Sequence, residues 1–114
     1  MNALENEILE PAQKLIRIPS ISDDLDSLYK ITHFVNDYFE GTNLWIRYHE
    51  KNLKPSIVIS NHDWFDFDII LNWHLDVVPP FDATQFEPLI KWNKLYARWA
   101  WDMKDWAAIM MVLM

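Results

Sequence analysis

Cysteine is absent from the 114 residues, so neither a disulfide framework nor a thiolate metal site can be built. Glycine is nearly absent too: the chain has 1, where the usual share of roughly 7% would supply about eight. Tight turns favour Asn-Gly and Asp-Gly pairs because glycine accepts a positive φ that bulky residues resist, so most turns here must do without it. Positive charge is short, with 10 Lys and Arg against 17 Asp and Glu and a net charge of −7, which speaks against nucleic acid and anionic membrane surfaces as partners. No apolar run approaches the roughly 20 residues of a spanning helix. The opening MNALENEILEP is acidic and lacks the basic start and apolar core of a signal peptide. We therefore expect a cytoplasmic protein.

At this length the chain can bury one modest core. Leu4, Ile8, Leu15 and Ile16 fall near one helical stripe over residues 3–17, with Pro11 kinking the helix or starting its second half, and Ile18-Pro19-Ser20 ending it. Ser22 reads as the N-cap of a second amphipathic helix, with Asp23 and Asp24 in its first turn, Leu28, Ile31, Val35, Tyr38 and Phe39 on its apolar face, and Gly41 at its end. Residues 44–49 and 56–60 alternate as strands joined by a polar turn over 50–55. After a loop over 61–67, the apolar run Asp68, Ile69, Ile70, Leu71 reads as a buried strand running toward His74. The expected fold class is α/β, with helices packed on a sheet of at least three strands. The apolar AAIMMVLM stretch reads as a helix that reaches Met114 without a cap, so we expect a chain cut off inside an element.

His74 and Asp76 are two apart, so in an extended segment both side chains share one side, and a carboxylate there can hold the imidazole in one tautomer. Asp102 stands at an expected strand-to-helix junction from which its two oxygens could bridge two cations. A His-x-Asp by itself is commonplace, and Asp102 alone reads equally well as a helix cap. His33, His49 and His62 read as surface histidines. Arg98 and Lys104 read as structural ion-pair partners near the site, and Met103, Met110, Met111 and Met114 as core packing.

Two stretches carry a family resemblance. Trp73, His74, Leu75, Asp76, Val77, Val78, Pro79 resembles a Gly-His-x-Asp-Val-Val-Pro signature, and residues 95–106, LYARWAWDMKDW, resemble Leu-Tyr-Gly-Arg-Gly-Ala-x-Asp-Met-Lys-Gly-Gly. Both signatures belong to the zinc metallopeptidases and amidohydrolases that include acetylornithine deacetylase, succinyl-diaminopimelate desuccinylase, aminoacylase and the glutamate carboxypeptidases. LIRIPSIS (residues 15–22) and FEPLI (residues 86–90) also look like family elements.

The resemblance implies the N-terminal part, residues 1–114, of a mixed-sheet zinc-peptidase catalytic domain. The rest of the catalytic half and an inserted lid or dimerisation domain lie outside the sequence. It also implies hydrolysis of an amide bond in an N-acyl amino acid or short peptide by a water shared between two zinc ions, with cobalt able to stand in. His74 and Asp102 would be metal ligands and Asp76 the catalytic residue that orients His74. The family's general-base glutamate lies downstream of the second signature, with no counterpart in this chain. The complete protein would be a metallopeptidase, amidohydrolase or deacetylase, pairing as a homodimer. This fragment alone would be inactive.

Where the family has glycine the chain has Trp73, Trp99 and Trp106, and Trp64 and Trp92 stand at turn positions after Asp63 and before Asn93. The chain has 7 Trp in all. One mechanism accounts for both the surplus of tryptophan and the shortage of glycine: a gene whose UGA codons encode glycine, translated by a code that reads UGA as tryptophan. Trp45 and Trp101 fall on no family glycine and read as genuine. The alternatives are a non-catalytic, Trp-rich relative or an inert truncated product, and an aromatic binding module whose exposed indoles would line one face.

Overall fold

The computed structural model describes residues 1–97 and 99–114, with the side chain of Trp101 set aside. Helix α1 spans Ala3–Arg17 and opens with a capping box, in which the Asn2 side chain accepts from the Glu5 amide and the Glu5 carboxylate accepts from the Asn2 amide. Pro11 lies inside the helix and is buried, and the helix ends at Ile18 as the following proline requires. Ala12, Leu15 and Ile16 are buried, while Leu4, expected on the same stripe, is exposed.

Helix α2 spans Leu25–Phe39, and its N-cap is Asp24, not Ser22. The Asp24 carboxylate accepts from both the amide and the hydroxyl of Ser27, a charged acceptor that outcompetes a neutral hydroxyl for this end of the helix. Ser22 is thereby released to bond elsewhere. Gly41, with φ of 80°, turns the chain out of the helix.

Strands β1 (Trp45–Lys51) and β2 (Lys54–Ser60) form an antiparallel hairpin. The turn is only Asn52 and Leu53, both with positive φ, so the strands run further and the turn is shorter than the polar stretch suggests. A second small hairpin pairs β3 (Leu89–Lys91) with β4 (Lys94–Tyr96) across Trp92 and Asn93. Helix α3 spans Asp105–Leu113 and packs on α1. The core joins the three helices through Leu15, Ile31, Val35, Phe39, Ala107, Ala108 and Met111, with Ile57 and Ile59 of β2 packed against it.

The strand expected at residues 68–74 is not formed. Ile69 and Ile70 are 80% and 74% exposed, and the described residues offer this segment no hydrogen-bonded ladder on either side. An apolar run becomes a buried strand only where partners cover its edges and faces. The described fold is thus three helices with two antiparallel hairpins, compatible with the α/β class at the coarse level. No helix among the described residues is long and apolar enough to cross a membrane.

Candidate metal centre

Although residues 73–77 join no sheet, they keep a strand's alternation. Val77 is buried and Trp73 and Leu75 pack against the core, while His74 and Asp76 project from the opposite side. Residues 20–22 hold this segment in register. Ser20 Oγ donates to the Leu75 carbonyl at 2.6 Å, the Val77 amide to the Ser20 carbonyl at 2.8 Å, and the Ser22 amide to the Val77 carbonyl at 3.0 Å. Ile21 and Val77 form a lone parallel bridge.

Asp102 arrives from the other side of the site. Trp99 takes a left-handed backbone (φ 63°), Asp102 and Met103 leave helical φ/ψ, and α3 begins at Asp105. Asp102 is therefore not the helix cap that its position suggested. Lys104 fixes this junction: it is 1% exposed, and its ammonium donates to the carbonyls of Leu15 at 2.8 Å and Ile18 at 2.7 Å. The ion-pair role expected of Lys104 is not what is found, because its partners are carbonyls at the end of α1, each of which also accepts a backbone amide, from Ile18 at 3.3 Å and from Ser20 at 2.8 Å. Burial lowers its pKa to about 8. Arg98 lies outside the described residues.

These two supports bring the three candidate residues together. His74 Nε2 stands 3.4 Å from Asp102 Oδ1, and His74 Nδ1 stands 3.0 Å from the Asp76 carbonyl and 3.5 Å from Asp76 Oδ1. Both ring nitrogens face acceptors, Nδ1 the Asp76 oxygens and Nε2 the Asp102 carboxylate, so a cation between Nε2 and Asp102, a proton or a metal ion, satisfies the pair. Ligand atoms on a tetrahedral zinc with bonds of about 2.0–2.2 Å stand about 3.3–3.6 Å apart, and the observed gap fits that edge. The donor set is nonetheless small, since among the described residues no group of three or more His, Asp or Glu side chains is placed to hold one ion.

His33 and His49 are exposed and His62 is half-buried. The surface position expected of all three thus holds for His33 and His49, while His62 is partly covered; His33 stacks on Tyr48 and His62 on Phe67. Sequence reasoning missed Ser20 and the second life of Ser22, whose hydroxyl donates to Asp76 Oδ2 at 2.7 Å. The partners lie 54 residues apart, and no local pattern announces such a pairing.

No family model matches the chain. It is similar to the succinyl-diaminopimelate desuccinylase of a Nitratiruptor species, with 36% identity over 107 residues that cover 90% of this chain and 28% of that protein. The chain thus spans a little over a quarter of the relative's length. The likeness supports the peptidase and deacylase family at the level of a hydrolase.

Proposed function

We propose that this chain is the N-terminal part of a zinc-dependent hydrolase that cleaves an amide bond in an N-acyl amino acid or short peptide, an N-succinyl amino acid first among them. The observation that carries the reading is the pairing of His74 Nε2 with Asp102 Oδ1 at 3.4 Å while Asp76 occupies the other ring nitrogen. The likeness to a desuccinylase supports it from a separate direction.

In this reading His74 and Asp102 hold metal, and Asp102, 72% exposed, has a second oxygen free to reach a further ion. Asp76 would keep the proton of a neutral His74 ring on Nδ1 and leave Nε2 to face the metal. When bound, zinc would acidify a coordinated water and polarise the substrate carbonyl. The base and the remaining ligands come from chain outside these residues. The protein works in the cytoplasm, touches neither nucleic acid nor membrane, and pairs as a homodimer when complete.

The test is metal analysis and hydrolysis by a protein extended to the relative's full length. We expect bound zinc, cleavage of N-succinyl amino acids that chelator abolishes, and loss of both in His74→Ala and Asp102→Asn. Asp76→Asn should cost about 10- to 100-fold in metal affinity, as loss of an orienting partner does. The 114-residue chain itself should bind zinc weakly and hydrolyse nothing. An extended protein free of zinc and indifferent to chelator would overturn the proposal. That outcome would favour a non-catalytic relative, the second reading, which the two-ligand donor set keeps open.

A further inference from the structure

We propose that Ser22 is a positioning residue of this site, acting on the metal-facing histidine through the carboxylate of Asp76; the proposal rests on the reading of His74 as a metal ligand. Asp76 has two oxygens with two different tasks. Oδ1 stands 3.5 Å from His74 Nδ1, and Oδ2 accepts from Ser22 Oγ at 2.7 Å. The Asp76 side chain is 45% exposed, so without a partner on Oδ2 its carboxylate would turn toward water. Ser22 prevents this because its own backbone is tied at both ends. Its amide donates to the Val77 carbonyl at 3.0 Å, and its carbonyl accepts from the Lys54 ammonium on β2.

The hydroxyl has one proton and two acceptors within reach, Asp76 Oδ2 at 2.7 Å and the Val77 carbonyl at 3.2 Å. The shorter bond goes to the charged group, as a charge-assisted hydrogen bond should. With Asp24 rather than Ser22 capping α2, no competing helix end draws this hydroxyl away. A relay therefore runs from the clamp segment through Asp76 to the histidine ring. It fixes the ring so that Nε2 faces Asp102.

The experiment is cobalt titration of the 114-residue chain, read by the visible absorption of bound Co2+ and checked by circular dichroism for folding. Wild type should bind and His74→Ala should not; equal behaviour of the two would remove the site and this proposal with it. Given that difference, Ser22→Ala should weaken cobalt binding about tenfold and shift the absorption band, since losses of this kind run at about 10- to 100-fold. Ser22→Thr, which keeps the hydroxyl, should restore both. In an Asp76→Asn background Ser22→Ala should cost nothing further, which a merely structural serine would not show. Ser22→Val, isosteric with the threonine variant but without its hydroxyl, serves where the alanine variant does not fold. Cobalt affinity and spectrum unchanged by the loss of the hydroxyl, with His74→Ala still silent, would overturn the role of Ser22 and leave the metal site standing.

Discussion

Trp92 and Trp99 take left-handed backbone angles, φ of 48° and 63°, in a chain whose glycine supply is 1. Holding a bulky residue there costs of order 1–3 kcal/mol. Trp92 also gains almost nothing from its indole, which is 91% exposed at the tip of the β3–β4 turn. Trp92→Gly should therefore raise stability by about 1 kcal/mol, the strain relieved less the chain entropy that glycine adds to the unfolded state. Trp99→Gly should gain less, because that indole is half-buried and its packing is lost. Trp106 sits in α3, where glycine costs about 1 kcal/mol relative to a good helix former, so Trp106→Gly should destabilise this chain. Urea denaturation of the three variants checks the order. The recoding account goes further and expects peptides from the native source to carry glycine at 73, 99 and 106 first, and at 64 and 92 next. Tryptophan at all of 73, 99 and 106 would end it.

The residue scale is also where the sequence was most legible. The alternation of His74 and Asp76 against Leu75 and Val77, and the approach of Asp102, follow from spacing and from the two signatures. The backbone separates what the family pattern joined, however: Trp64, Trp73 and Trp106 have no positive φ, so the strain falls on two of the five tryptophans. Ser22 illustrates the opposite limit. A serine followed by two aspartates fits an N-cap and its first turn equally well from sequence, and only the fold shows that the second aspartate takes the cap.

Among the elements, helices and the first hairpin were readable because their signals are local: an apolar stripe, a proline stop, a glycine stop, a period of two. The junction between α1 and α3 was not, since it depends on one lysine reaching back to carbonyls 86 and 89 residues earlier. Removing that ammonium in Lys104→Met takes one of two donors from each of two carbonyls at the α1 terminus, which keep the Ile18 and Ser20 amides. A loss of about 1 kcal/mol is expected, two hydrogen bonds at roughly 0.5–1.5 kcal/mol each, offset in part by relief of the buried charge. The same lysine gives a pH signature. Burial holds its pKa near 8 when folded, below the usual lysine range. Between about pH 8 and the ordinary lysine value the unfolded chain binds the extra proton, so stability from this group rises with pH through that window. Below pH 8 both states are protonated and the burial cost is fully present. Denaturation midpoints at pH 7.5 and 9.5 should differ more in wild type than in Lys104→Met, and an equal difference in the two would contradict the assignment.

The whole molecule exposes more than its mass warrants. A folded monomer of 13.7 kDa is expected to show about 6,600 Å² of surface, and this chain shows 7861 Å². Its radius of gyration, 14.6 Å, likewise exceeds the value of about 13.3 Å expected for a compact domain of this length. Ile69, Ile70 and Leu71 contribute to the excess, at 80%, 74% and 48% exposed. Covering side chains of this kind is worth about 1.5–3 kcal/mol apiece, a drive strong enough to recruit a partner wherever one is in reach. On the proposal that this chain is the N-terminal part of a longer hydrolase, the partner is further polypeptide of the same protein, added as strands beside residues 68–71. Amide hydrogen exchange distinguishes the cases. In the 114-residue chain the amides of 69–71 should exchange as fast as those of an open loop. In a protein extended to the relative's length they should become strongly protected, and fluorescence of a hydrophobic dye should fall with them. Fast exchange at 69–71 in the extended protein would mean that this run is a surface loop, and that its apolar character serves something other than a sheet.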